Sequence, residues 1–157
     1  MYNVTFKIEI LKGGDYLESY RIYLSGGMSG LSFEEQSKWR QQFKDAIKYN
    51  YDTERKTYCF DPTQYYNFEE KRHKSELEIM EFDLNALRES DLVVVNFNQP
   101  NSIGTAMELA IAREHRIPII GLNKDKKEIH PWLECCCNRM CDDMRELVTH
   151  VVEFYLN

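Results

Sequence analysis

The stretch "SDLVVVNFNQPNSIGTAMELAIAREHRIPIIGL", residues 90–122, decides the fold. Leu92 to Phe97 is a nearly unbroken apolar run. A strand with one wet face would alternate, so this run reads as a strand covered on both faces, as in a parallel sheet. "NQPNSIG" follows as a loop, and Thr105 to His115 has the composition and length of a helix. "IPIIGL" is a second short apolar run, again a buried strand. Strand, helix, strand in this order is the crossover unit that parallel sheets require.

The neighbouring segments extend the pattern. Upstream, a helix is expected from about Ser75 to Arg88, with Leu77, Met80, Leu84 and Leu87 as its buried stripe. Before it, residues 50–74 are polar and tyrosine-rich, with a short strand near "TYCF", a turn at Asp61-Pro62 and a surface loop over 64–74. Ser32 with Glu35 three residues later forms a capping box, and Trp39, Phe43, Ala46 and Ile47 carry the stripe of the helix it opens. At the start, "VTFKIEIL" alternates, "KGGD" turns, and "YLESYRIYLSGG" returns, so an N-terminal β-hairpin arm is expected, with residues 1–19 as an extension. Downstream, Leu133, Cys137, Met140, Cys141, Met144, Leu147, Val148, Val151 and Tyr155 keep a three-to-four spacing, which predicts one long amphipathic C-terminal helix. The expected fold is a single α/β domain over residues 1–157, with a doubly wound, mainly parallel sheet and flanking helices.

Composition narrows the function. The 157 residues are 43% hydrophobic and 29% charged, with a net charge of −6, a globular composition without a basic stripe. That argues against a nucleic-acid polymer as partner. No apolar run reaches the roughly 20 residues of a membrane span, and the alternating N-terminus is not a signal peptide. Four of the five cysteines crowd at 135, 136, 137 and 141. This fits a reducing cytoplasm better than a disulfide framework. Structural zinc sites show paired knuckles at two places in a chain. One cluster, two of whose members lie on an apolar stripe, reads instead as core cysteines, with no metal.

In doubly wound sheets ligands bind at the carboxyl ends of the strands. Two glycine loops reach that edge, "SGGMSG" (25–30) and "NSIGTA" (101–106). The first is neither a dinucleotide fingerprint nor a P-loop; it is a tight turn or a cradle of backbone N–H groups for an anion. Three side chains would meet the loops there. Glu108, in the first turn of the expected helix, either interacts with the helix dipole or faces the space beside Gly104-Thr105-Ala106. Asp83 lies at the border of its helix's buried stripe, a loop cap or a reactive group. Tyr23 is a core aromatic whose buried phenol needs a partner, which a carboxylate would provide. Two carboxylates and a tyrosine suit glycosidic-bond chemistry, one acid attacking the anomeric carbon and the other handling the leaving group's proton.

"RIYLSGG", "FDLNALRESDLVVVNF" and "GTAMELAIAREHRIPII", in this order, resemble the nucleoside 2-deoxyribosyltransferase family over roughly residues 20–122. The resemblance implies a flavodoxin-like (Rossmann-like) sheet, N-glycosidic bond cleavage without a cofactor, and a covalent glycosyl intermediate on Glu108. It places the aspartate that assists the base on Asp83 and the tyrosine that positions the nucleophile on Tyr23. It also implies a homodimer or larger homo-oligomer. In the family's transferases an aspartate six residues before the nucleophile holds the sugar's 5′-hydroxyl. In its branch that hydrolyses nucleoside 5′-monophosphates, a serine binds the phosphate, and here that position is Ser102. A hydroxyl donates to a phosphate dianion, where a carboxylate would repel it.

The expected substrate-binding set is Ser25, Gly26, Gly27, Ser29, Ser102, Gly104 and Thr105, and the expected ligand a small nucleotide or nucleoside. The monophosphate branch often has a basic residue in the first glycine loop, where this chain has Met28-Ser29. Arg72, Lys74 or a lysine of 124–127 is the expected substitute. Two rival readings stand beside a monophosphate N-glycosidase: a base-exchanging transferase and a catalytically silent nucleotide-binding module. His115 reads as a C-terminal helix cation, His73 as a loop residue, and Trp132 as a base-stacking residue or an anchor.

Overall fold

A computed structural model describes residues 19–50, 53–65 and 74–157. Most of the expected N-terminal arm and the centre of the 64–74 loop, with Arg72 and His73, lie outside the described residues. Five strands form one sheet: β1 (Tyr20–Gly26), β2 (Thr57–Phe60), β3 (Leu92–Asn96), β4 (Ile119–Leu122) and β5 (Arg139–Cys141). Their order is β2-β1-β3-β4-β5, and every pairing is parallel. This is the flavodoxin-like order, whose switch point lies between β1 and β3. Seven residues of the expected hairpin's second arm, Tyr20–Gly26, are thus an interior parallel strand.

The unbroken apolar run of β3 is explained by its two covers. Leu92 and Val94 point into a core with Trp39, Phe43 and Ile47 of α1 (Phe33–Asn50) and Leu147, Val148 and Val151 of α5 (Met144–Val151). Val93 and Val95 point into a second core with Leu87 of α2 (Glu76–Arg88) and Leu109 and Ala112 of α3 (Ile103–Glu114). The capping box is present: Ser32 Oγ accepts from the Glu35 N–H at 3.3 Å, and Glu35 accepts from the Ser32 N–H at 2.8 Å.

Three expectations are corrected. The C-terminal segment is not one helix but α4 (Pro131–Cys136), β5, α5 and a closing π-helical turn, Val152–Leu156. Asn138 breaks it, bonding to Ile119 at 2.7 and 2.9 Å through its backbone N–H and its side-chain carbonyl, and so docking β5 on β4. Asp143 then caps α5 through the Glu146 N–H at 2.8 Å. Cys141 is buried, but on a strand; Cys137 is half-buried just after α4, and Cys135 is exposed. In α2 only Leu84 and Leu87 are buried, whereas Leu77 and Met80 are 56% and 40% exposed. Met80 turns instead to the open cleft described below. Finally, α3 starts at Ile103, two residues early, because Ser102 is its N-cap. Glu108 therefore lies in the second turn, past the reach of a simple dipole contact.

Candidate active site

The cleft opens at the carboxyl ends of β1 and β3, at the switch point. It encloses about 1350 Å³ between the two glycine loops, α2 and the start of α3. The loops are sewn together by side-chain amides. Asn98 Oδ1 accepts from the Gly27 N–H at 3.1 Å, and Asn98 Nδ2 donates to the Gly27 carbonyl at 3.2 Å. Gln99 Nε2 donates to the Ser29 carbonyl at 2.9 Å. Gln99 leaves no room beside Gly27, where a β-carbon would lie 2.5 Å from the Gln99 Cβ.

Glu108 and Asp83 both line this cleft. The Tyr23 hydroxyl donates to Glu108 Oε1 at 2.8 Å, and the Ser25 hydroxyl donates to Oε2 at 2.5 Å. Alternation along β1 explains both donors: residues two apart share a face, and that face looks toward α3. Tyr23 is fully buried, its ring stacked on Phe60 at 5.3 Å between centroids. The buried phenol and the carboxylate thus satisfy each other. Burial pushes the Glu108 carboxyl above its ordinary value, while the Ser25 and Tyr23 hydrogen bonds and the Arg40 charge pull it back. A carboxylate with strong but partial stabilisation keeps its basicity, as a nucleophile needs.

The expected binding residues divide. Gly26, Ser29, Ser102, Gly104 and Thr105 line the cleft. Ser25 does not: it is 1% exposed, and its hydroxyl holds Glu108 from behind. Gly27 lies under Gln99, with its backbone taken by Asn98. A β-carbon at Gly104 would meet nothing within 4 Å, so the space beside Glu108 is open. Ser102 Oγ accepts from the Thr105 N–H at 3.3 Å and from Thr105 Oγ1 at 3.0 Å. Both bonds use lone pairs, so its own O–H is left to donate elsewhere. The first N–H groups of α3 lack intrahelical partners and lie beside it. Together they present hydrogen-bond donors of the kind that suit an anion at a helix N-terminus.

Lys74 lines the cleft. Lys126 is engaged by Asp142, and Lys127 by the Asn98 carbonyl. Trp132 is 80% exposed and does not line the cleft. His130 caps α4, and His115 caps the end of α3.

One cluster was not anticipated from sequence. Arg40 is fully buried behind the glycine loop, bonded to the Leu24 and Gly26 carbonyls at 3.2 and 3.1 Å. Asp61 lies beside it, 2% exposed and held by Lys44 at 2.7 Å. The clue is spacing: 36, 40, 43 and 47 form one stripe of α1, so Arg40 sits where an apolar residue would be expected. Gln36, on the same stripe, donates to the Met28 and Leu31 carbonyls at 2.9 and 2.8 Å and fixes the loop's far end.

Comparison with known proteins agrees with this fold. Among solved structures, the fold matches a conserved protein from Enterococcus faecalis (TM-score 0.67, 15% identity, 86% of this chain and 98% of the other). It matches a 2-deoxyribosyltransferase from Bacillus psychrosaccharolyticus (TM-score 0.63, 16% identity, 82% and 90%). It also matches a CMP N-glycosidase from Clostridium botulinum (TM-score 0.52, 17% identity, 85% and 99%). At these identities the likeness is one of fold. No curated protein matches the chain by sequence. No helix among the described residues is long and apolar enough to cross a membrane. The family model for nucleoside 2-deoxyribosyltransferases matches residues 22–153, from the strand that carries Tyr23 to the C-terminal turn, and the chain belongs to that family of enzymes.

Proposed function

We propose that the protein cleaves the N-glycosidic bond of a (deoxy)nucleoside 5′-monophosphate through a glycosyl ester on Glu108, releasing the free base. The observation that carries this reading is the pair of hydroxyls, Tyr23 and Ser25, holding one Glu108 oxygen each at the wall of an open cleft. Two fixed donors leave the carboxylate one orientation. Pre-set geometry of this kind lowers the barrier to attack.

In the first step a Glu108 oxygen attacks C1′ and the C1′–N bond breaks, its electron pair leaving with the base. Asp83, on the α2 wall, gives the base a proton. In the second step water attacks C1′ while Asp83 takes back a proton, and the C1′–O bond to Glu108 breaks. This is the retaining two-carboxylate scheme, applied to a nitrogen leaving group. The phosphate end is assigned to the Ser102 O–H and the first N–H groups of α3, with Lys74 as nearby cation. The Bacillus relative is a 2-deoxyribosyltransferase and the Clostridium relative a CMP N-glycosidase. Ser102 favours the second chemistry, since a hydroxyl and helix N–H groups suit a dianion better than a free sugar hydroxyl.

A panel of nucleosides, deoxynucleosides and their 5′-monophosphates, with and without a second free base, tests this. Base release from monophosphates without an acceptor is expected. Exchange only in the presence of an acceptor, on unphosphorylated deoxynucleosides, would establish the transferase instead. Neither release nor exchange, with ligand still bound, would establish the silent binding module.

A further inference from the structure

We propose that Arg40 is the positioning residue of the nucleophile: a buried guanidinium that clamps the end of β1 behind Glu108 and supplies the counter-charge against which that carboxylate stays ionised and later departs. The inference rests on the reading of Glu108 as the nucleophile. Arginine is almost never fully buried unless paired. Arg40 has no exposed surface, and its side chain runs inward beside the Trp39 ring, 4.8 Å from its centroid. Its Nε donates to the Leu24 carbonyl, its Nη2 to the Gly26 carbonyl, and its Nη1 to the Gln36 carbonyl. Leu24 and Gly26 flank Ser25, whose hydroxyl sits on Glu108 Oε2. One guanidinium therefore holds the carbonyls of both residues that flank the donor that aims the nucleophile.

Asp61 is the nearest anion to Arg40, but it is shared with other partners. That carboxylate lies 3.8 Å from Arg40 Nε, too far for a hydrogen bond, and gives its close contacts to Lys44 at 2.7 Å and to Thr63 Oγ1 at 2.6 Å. Burial works against the Arg40 charge; Asp61 is the strongest anion supporting it, and Glu108 and Asp83 are further anions that do so. In low dielectric such a charge is weakly screened. Tyr23 and Ser25 of β1 bond to Glu108, the charge of Arg40 on α1 acts on it, and Asp83, Lys74 and Glu76 line the same cleft. Among these neighbours Arg40 is the buried cation. When Glu108 becomes an ester its charge vanishes and Arg40 loses a partner. The second step, in which water attacks C1′ and the electron pair returns to Glu108, restores that partner. The arrangement thus favours release of the sugar from the enzyme.

The test is a direct titration of the nucleophile in the full-length chain. Protein labelled with carbon-13 at the glutamate carboxyl carbon is followed by NMR from acid to neutral pH, with Glu108→Gln assigning the resonance. Arg40→Met is expected to raise the Glu108 titration by about one pH unit or more. Arg40→Lys, which keeps the charge, stays near wild type. Asp61→Asn moves it the other way, because it removes an anion from behind Arg40. The acid limb of base release should shift in step. An unmoved Glu108 titration in Arg40→Met overturns the proposal, and so does a shift of the same sign in Arg40→Met and Asp61→Asn, which loosening of the fold would give. If Arg40→Met does not fold, an unmoved titration in Asp61→Asn is the overturning result. A wild-type protein that releases no base removes the nucleophile reading, while the titration still decides whether Arg40 controls the carboxylate.

Discussion

Glu108→Gln is expected to lose base release by at least on the order of a thousandfold, about 4 kcal/mol of transition-state stabilisation, while gaining stability at neutral pH. Both effects have one origin. The carboxylate sits at the wall of a cleft, withdrawn from water, with two hydroxyls and a buried guanidinium supporting it incompletely. The amide keeps the shape and still accepts a hydrogen bond, but it does not form the glycosyl ester. The sign of the stability change follows from the raised carboxyl. A group whose folded value lies above its unfolded one contributes stability in full below the unfolded value, near 4.5, and loses it as pH rises through the folded value. Wild type and variant should therefore unfold alike in acid and diverge as pH rises, with the variant the more stable. Denaturant melts across that pH range measure it, and a variant that is less stable at neutral pH would contradict the burial argument. Such a trade, stability surrendered where chemistry is done, is common at active sites.

Ser102→Asp is expected to weaken use of 5′-monophosphates by roughly 10- to 100-fold, the worth of one hydrogen bond to a charged group. Aspartate is as good an N-cap as serine. It still accepts from the Thr105 N–H, so α3 and the fold persist. What is lost is the O–H donor, and what is gained is a charge facing the phosphate. Unphosphorylated substrates, with a neutral 5′-hydroxyl, should be tolerated or preferred. The ratio of kcat/KM for a nucleoside and its 5′-monophosphate reads the change. An unaltered ratio would mean that the phosphate lies elsewhere.

The contrast between these residues shows what a sequence makes legible. The strand, helix and strand of 90–122 announce themselves because burial on both faces demands uninterrupted apolar residues. Glu108 stands out by being charged in such company, and Tyr23 by bringing a hydroxyl into a buried strand. Ser25 was legible as a member of the site but not in its direction. Only the register of β1 shows that residue 25 shares a face with residue 23 and turns to Glu108 rather than to the ligand. The C-terminal segment was misleading because its three-to-four spacing survives three changes of secondary structure. Asn138 satisfies the β4 backbone there, a tertiary bond that no local pattern encodes. Leu77 and Met80 continue an apolar stripe that the fold leaves partly open beside the cleft. Arg40 interrupts the buried stripe of α1 in the sequence, but only the folded chain brings the Leu24 and Gly26 carbonyls within reach of its guanidinium.

The measurement that bears most directly on the central claim is mass spectrometry of the enzyme after incubation with 5′-monophosphates carrying fluorine at C2′. The fluorine withdraws electrons from the oxocarbenium-like transition states of both steps, so the glycosyl-enzyme accumulates. The account predicts an added fluorosugar phosphate on the peptide containing Glu108, formed with one equivalent of released base and absent in Glu108→Gln. Base release from the unmodified substrates with no ester on Glu108, or an ester on any other residue, would contradict it.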